Sequence, residues 1–229
     1  ILEDALKDEI IDEETTPNGE TKILTPGNDV YTSTEFSDTV YGRAGDDRIY
    51  GAGGDDVLYG ELGNDRLYGE NGMDTLYGGF GVDRLYGGND SDLLYGEDGN
   101  DYLYGGDAAD ILEGGAGVDQ LYGDAGDDLF YASGLDDVND QYYGGSGYDT
   151  IQNKGDGALQ FESFSKNRSI EEIDAEGEDI QGTAANNNLD FRNTKLTDVD
   201  DIHGLGGDDT IHGHDESDDR IYGDEGNDK

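Results

Sequence analysis

The chain has 229 residues, 57 acidic against 13 basic, for a formal net charge of −44; this excludes nucleic acid as a partner, because its phosphates would be repelled, and disfavours an anionic membrane surface. No apolar run is long enough to span a bilayer, and the absence of cysteine removes disulfides and thiolate metal sites. Hydrophobic residues make up only 32%, so the chain buries too little apolar surface to offset its entropy unless something such as a bound cation cancels the charge.

Residues 1–23 are acidic, with Ile1, Leu2, Ala5, Leu6 and Ile10 spaced for a short amphipathic helix that "TTPNGE" breaks. This segment reads as an acidic linker or the end of a preceding domain. The chain starts at Ile1, not Met, and stops inside a repeat, so it reads as a fragment whose first partner is the rest of the parent polypeptide.

From Leu24 a nine-residue frame begins. Positions one and four are glycine, six is aspartate and eight is apolar. Position six carries Asp29, Asp38, Asp47, Asp56, Asp65, Asp74, Asp83, Asp92, Asp101, Asp110, Asp119 and Asp128. Position eight runs Tyr31, Val40, Ile49, Leu58, Leu67, Leu76, Leu85, Leu94, Leu103, Leu112, Leu121 and Phe130. The frame stutters at "ASGLDDVNDQYY" and is restored once at 144–152, with Asp149 at position six. Residues 24–152 are therefore read as one repeat unit. Residues 153–203 lose the regular glycines and read as irregular coils or an insertion, in which Asn187 replaces the aspartate of a degenerate block. Residues 204–229 form a second block with Asp209 and Asp228 at position six, cut off at the terminus.

A fixed short period predicts an all-β solenoid. The two glycines permit a tight left-handed turn. Positions seven to nine form a short strand whose alternation turns position eight inward and seven and nine outward. Two blocks make one coil of 18 residues, and like positions stack about 4.8 Å apart. Asp65 then lies between Asp47 and Asp83. Carboxylates that close cannot all be ionised unless cations lie between them. Carboxylate and turn-carbonyl oxygens suit calcium; magnesium demands stricter geometry and keeps its waters.

The tandem blocks "GGFGVDRLY" and "GGAGVDQLY" resemble the RTX repeat, GGxGxDxUx. The resemblance implies a right-handed parallel β-roll with calcium between consecutive turns on each side. One site would use the carbonyls of Arg43, Gly45, Gly60 and Leu62 with Asp47 and Asp65. A site on the other side would use Ala52, Gly54, Gly69 and Asn71 with Asp56 and Asp74. Gly79, Gly81, Gly96 and Asp98 would supply the next carbonyls of the first side. Pair counting gives about ten ions over residues 24–131. Phe36, Asp90 and Ala108 stand where position four expects glycine, which distorts their sites. The resemblance also implies export in unfolded form by a type I secretion apparatus and an extracellular or cell-surface location. Ligands this far apart in sequence couple binding to folding, with individual sites of roughly 10⁻⁴–10⁻³ M.

Position nine is tyrosine in ten blocks, predicting two outward ladders that shield the sheet or, on a sharper reading, stack on sugar rings. Position seven carries Arg48, Arg66 and Arg84 on one side. On the other it carries Val57, Thr75, Leu93, Ile111 and Leu129, a stripe expected to be covered by residues 153–200 or by a partner. His203, His212 and His214 read as surface decoration. No catalytic motif occurs, and the repeat accounts for the paired carboxylates, so no enzyme is predicted. The leading function is a calcium-dependent folding module within a larger secreted protein. The alternatives are a polysaccharide-binding module, as in alginate epimerases with similar repeats, and a structural segment of a surface adhesin.

Overall fold

The computed structural model describes residues 9–11, 19–133, 139–155, 157–165, 168–214 and 220–229. Among them there is no helix, and every pairing is parallel. The strands begin with β1 (Glu9–Ile11), β2 (Thr21–Ile23), β3 (Asp29–Thr32), β4 (Thr39–Tyr41) and β5 (Arg48–Tyr50). The regular stretch continues through β6 (Val57–Leu62), β7 (Arg66–Asn71), β8 (Thr75–Gly81), β9 (Arg84–Asn89), β10 (Leu93–Gly99), β11 (Tyr102–Asp107), β12 (Ile111–Gly117), β13 (Gln120–Ala125) and β14 (Leu129–Ala132). Past the stutter come β15 (Gln141–Ser146), β16 (Thr150–Asn153), β17 (Leu159–Gln160), β18 (Ser163–Phe164) and β19 (Glu172–Gln181). The stack ends with β20 (Asn188–Asp190), β21 (Lys195–His203), β22 (Thr210–His212) and β23 (Ile221–Tyr222). From β3 to β16 the strands follow the nine-residue frame, each containing the buried residue of the eighth position or its counterpart past the stutter.

Odd and even strands separate into two walls. One sheet has the order β1-β3-β5-β7-β9-β11-β13-β15 and the other β2-β4-β6-β8-β10-β12-β14-β16-β19-β21-β23, with β17 on β19. A third sheet, β18-β20-β22, continues beside the last coils. The register step is 18 residues, as in Leu67↔Leu85 and Leu76↔Leu94. The chain is thus the parallel β-solenoid that the period predicts. The expected helix is not supported at Ile10, which lies in the strand β1 paired to β3; Ile1, Leu2, Ala5 and Leu6 lie outside the described residues.

Alternation fixes the core. Val40, Ile49, Leu58, Leu67, Leu76, Leu85, Leu94, Leu103, Leu112, Leu121 and Phe130 are fully buried in one cluster between the walls, alternate residues coming from opposite walls. Complete burial of each such side chain stabilises by about 1.5–3 kcal/mol. The stutter lengthens one coil, and the step becomes 21 residues at Leu121↔Tyr142 and Phe130↔Ile151. Residues 153–203 then form wider coils: Ile151 pairs Ile173 and Ile173 pairs Leu196. Longer coils enclose more space, and aromatic side chains fill it. Phe130, Tyr142, Phe161, Phe164 and Phe191 make a continuous run with centroid spacings of 5.1 to 6.5 Å.

Candidate metal centre

The position-six aspartates form two rows inside the turns. One is Asp29, Asp47, Asp65, Asp83, Asp101 and Asp119; the other is Asp38, Asp56, Asp74, Asp92, Asp110, Asp128 and Asp149. All are at most 2% exposed. Each row is tied along its length in the same way. The backbone N–H of one aspartate donates to Oδ1 of the aspartate one coil on: Asp47 to Asp65, Asp65 to Asp83 and Asp56 to Asp74, each at 2.7 Å. The first row continues from Asp119 to Asp140, a buried residue in the stutter, at 2.7 Å. Asp140 was not among the predicted ligands. Its block lacks position-one glycine, but Tyr142 and Tyr143 in the inward and outward columns mark its place.

The second carboxylate oxygen is the notable one. Oδ2 of Asp47, Asp56, Asp65, Asp74, Asp83, Asp92, Asp101 and Asp110 is buried and accepts no hydrogen bond; the same holds for Asp149 and Asp209. A buried unpartnered carboxylate oxygen is expensive. Burial first, and neighbouring carboxylates second, push these groups upward: Asp56, Asp92 and Asp101 to about 8, Asp65, Asp110 and Asp149 to about 7, and Asp47, Asp74 and Asp83 to about 6. Among the described residues no ion pair is made to Asp47, Asp56, Asp65, Asp74, Asp83, Asp92, Asp101 or Asp110, so charge placed on these oxygens has no protein counter-charge there.

Glycine at position one leaves room beside these oxygens. A Cβ added at Gly60 would sit 2.5 Å from Asp65 Oδ2 and 2.5 Å from the Gly78 carbonyl oxygen. Gly42, Gly51, Gly69, Gly78, Gly87 and Gly96 repeat the pattern, each between an Oδ2 and the next coil's position-one carbonyl, 2.3 to 2.7 Å from both. Carboxylate and carbonyl oxygens thus converge on a cradle that any side chain would fill. That donor set fits a hard cation.

Position one is therefore glycine for space and not for backbone freedom, contrary to the expectation that both glycines serve a left-handed turn. The left-handed residues are at positions two and four. At position two ordinary side chains tolerate it: Arg43, Ala52, Glu61, Glu70, Glu97 and Asp124 have φ of 72 to 79°. At position four Gly45, Gly54, Gly63, Gly72 and Gly81 have positive φ, and so do the substitutes Asp90 (71°) and Ala108 (76°).

The expected carbonyl ligands are partly occupied by the ladder. Leu62 N–H donates to the Arg43 carbonyl and Gly45 N–H to the Leu62 carbonyl, both at 2.9 Å. Asn71 Nδ2 donates to the Ala52 carbonyl at 3.2 Å, and Asp98 pairs with Phe80 and Ala116 in the sheet. Each such oxygen keeps a second lone pair. The carbonyl oxygens of Gly45, Gly54 and Gly81 lie 1.7 to 2.0 Å from where a Cβ of Gly63, Gly72 and Gly99 would stand. Gly79 has φ +105° at position two.

The row ends differ. Asp38 Oδ2 accepts from Ser33 Oγ (2.6 Å), Thr34 N–H (2.8 Å) and Thr34 Oγ1 (2.7 Å). Burial raises its pKa, but these bonds and one from the Glu20 N–H outweigh that and hold it below the ordinary value. Asp29 is served by Thr25 N–H and Oγ1 at 2.8 and 2.9 Å. Hydroxyl residues at position one (Ser33) and position two (Thr25, Thr34) thus cap the rows internally. At the far end Asp149 N–H meets Glu171 Oε2 at 2.9 Å. Asn187, an uncharged amide, bonds Thr183 and the Glu162 carbonyl, and its N–H reaches Asp209 Oδ1 at 2.8 Å. Asp209 N–H continues to Asp228 Oδ1 at 3.0 Å.

The outward columns are ordered too. Tyr41, Tyr59, Tyr77 and Tyr95 stack at 4.8 to 5.0 Å, and so do Tyr50, Tyr68, Tyr86, Tyr104, Tyr122 and Tyr143 at 4.7 to 4.9 Å. The rings turn their faces to each other and offer edges and hydroxyls outward. Arg84 lies over Tyr102, 5.0 Å from its centroid. The stripe Val57, Thr75, Leu93, Ile111 and Leu129 is half-buried. Residues 153–200, where described, continue the stack at its end; of them Lys154 reaches back to Glu113 at 2.6 Å and over the Tyr131 ring. At position five, side-chain oxygens of Asn28, Asp46, Asn64 and Asn100 accept the N–H one coil on at 2.9 Å. These polar residues are a second inter-coil clamp and not merely solvated surface.

A family model described as the RTX calcium-binding nonapeptide repeat (4 copies) matches the chain repeatedly, at residues 25–58, 32–67, 51–85, 68–103, 77–112, 104–138, 139–151 and 197–229. No curated protein matches the chain in sequence.

Proposed function

Since the chain belongs to the RTX calcium-binding nonapeptide repeat family, we propose that its solenoid takes up calcium along both aspartate rows and acquires its fold in doing so. The observation that carries this is the file of buried Oδ2 atoms without hydrogen-bond partners, each beside a position-one carbonyl. Calcium supplies the positive charge that these rows lack. Asp47 and Asp65 with carbonyls of Arg43, Gly45, Gly60 and Leu62 would hold one ion, and Asp56 and Asp74 with those of Ala52, Gly54, Gly69 and Asn71 another. About ten ions over residues 24–131 would offset roughly 20 of the 44 net negative charges.

The unfolded chain holds no such cradle, because its oxygens come from residues 18 apart. Binding free energy is then folding free energy. Such a module suits a protein exported unfolded and folded in calcium-rich surroundings outside the cell, where it would stabilise or present a larger polypeptide. It needs no catalytic group. The tyrosine ladders favour shielding over sugar binding, because their faces are covered by one another.

Far-ultraviolet circular dichroism during a calcium titration near pH 7.5 tests this. Strand signal rising steeply at submillimolar to millimolar calcium is the expected result. A calcium-free chain with the full strand signal at that pH would overturn the coupling.

A further inference from the structure

We propose that Asp179, Asp201 and His203 form a second kind of metal site, for a divalent first-row transition ion such as zinc, on the outer face of the last coils. Asp179 lies on β19, and Asp201 and His203 on β21. One donor atom from each falls within 4.8 Å of the others. They precede and follow the paired core residues Ile180 and Ile202, so strand alternation puts all three on the outward face. In the regular coils this face carries tyrosine and aliphatic side chains. Here it carries an imidazole and two carboxylates.

The imidazole is held from outside this donor set. Its ring stacks on Tyr222 with centroids 4.8 Å apart and planes 12° from parallel. Its Nδ1 is 3.1 Å from Asp224 Oδ2. A carboxylate only accepts, so Nδ1 carries the proton there, and neutral imidazole then presents its Nε2 lone pair elsewhere. Nε2 faces Asp179 Oδ2 at 3.9 Å. Ligands about 2.0–2.1 Å from a tetrahedral zinc stand about 3.3 Å apart, so small side-chain rotations complete the set. A carboxylate on the far nitrogen of a metal-binding histidine fixes its tautomer and orients the ring, the part Asp224 plays. Arg220 Nη1, 3.4 Å from Asp201 Oδ1, is the one competing cation among the described residues; its side chain is 72% exposed and swings away at little cost.

The donors also separate this site from the aspartate rows. Oxygen-only cradles suit calcium, whereas an imidazole selects zinc, nickel or copper. Zinc would therefore bind here while calcium occupies the rows.

The test is isothermal titration of zinc into the full chain in excess calcium, with circular dichroism verifying the fold of every variant. Cobalt absorption in the visible reports a nitrogen ligand independently. We expect one zinc ion that excess calcium does not displace. His203→Gln should weaken it at least tenfold and abolish the cobalt band; Asp224→Asn should weaken it about 10–100-fold as an orienting partner; His212→Gln should leave it unchanged. Zinc affinity in His203→Gln equal to that of the unaltered chain, or displacement by calcium, overturns the proposal. If the chain proves folded without calcium, the same titration in calcium-free buffer reads this site, so the two proposals fail separately.

Discussion

Replacing Gly60 by alanine puts one methyl group into the cradle. Its Cβ would lie 2.5 Å from Asp65 Oδ2, 2.5 Å from the Gly78 carbonyl oxygen and 3.0 Å from Asp65 Cβ. Neither oxygen can withdraw freely. Asp65 Oδ1 is fixed by the Asp47 N–H at 2.7 Å, and Gly78 belongs to β8, which is paired on both sides. Gly60 itself does not have positive φ, so the cost is steric and not conformational. Overpacking of this kind costs about 1–3 kcal/mol, roughly a 5- to 150-fold loss in the folded-to-unfolded ratio. The methyl group also occupies the space that the ligand oxygens share, which adds to the loss in calcium. The neighbouring Glu61→Gly is the control: Glu61 holds φ 72°, a conformation glycine adopts without strain. In a calcium titration followed by circular dichroism, Gly60→Ala should move the midpoint to higher calcium and Glu61→Gly should leave or lower it. A Gly60→Ala midpoint at or below that of the unaltered chain would refute the assignment of position one to space.

The pH dependence without calcium should run opposite to that of an ion-paired protein. The folded aspartates are pushed to about 6–8, against roughly 3.9 unfolded, so between those values the folded state binds more protons and stability falls as pH rises. Calcium-free chain should thus show more strand signal and a higher Tm at pH 5 than at pH 8, while the calcium midpoint moves upward as pH falls; a calcium-free Tm that rises from pH 5 to 8 contradicts this. Asp65→Asn keeps an Oδ1 acceptor for the Asp47 N–H but removes one buried charge, so it should raise calcium-free stability and lower calcium-saturated stability; the same change with and without calcium would overturn this.

The fold was readable because one inward residue per nine leaves only one way to stack, and the register Leu67↔Leu85 follows from it. The reasons behind the glycines were not readable. The same letter serves position four, where φ is left-handed at Gly45 and Gly63, and position one, where a Cβ would strike Asp47 or Asp65. The hint lay at position two, where Arg43, Ala52 and Glu61 occupy the left-handed turn. The capped row ends were hidden too, because Ser33 and Thr34 look like failed repeats until their hydroxyls are seen on Asp38. Asp140 escaped because the insertion displaces it by three residues from the regular step. His203 gains its significance only from Asp179 and Asp224, each more than 20 residues away in sequence.

Each position-six aspartate does two separable things. Oδ1 receives the neighbouring coil's N–H, a contact that survives protonation or replacement by an amide and therefore helps set register whatever the charge. The position-five side chains repeat this clamp outside, and the buried aliphatic cluster supplies the core. None of these interactions depends on a cation, so together they specify which structure forms. Oδ2 carries the opposing term, since an ionised row without partners raises the energy of that same structure. Specification and permission thus sit on different oxygens of one carboxyl group. On the proposed reading, this is why the chain carries its aspartates in unbroken files: each added coil deepens the penalty without calcium and adds a cradle with it, so a longer file gives a steeper response to calcium.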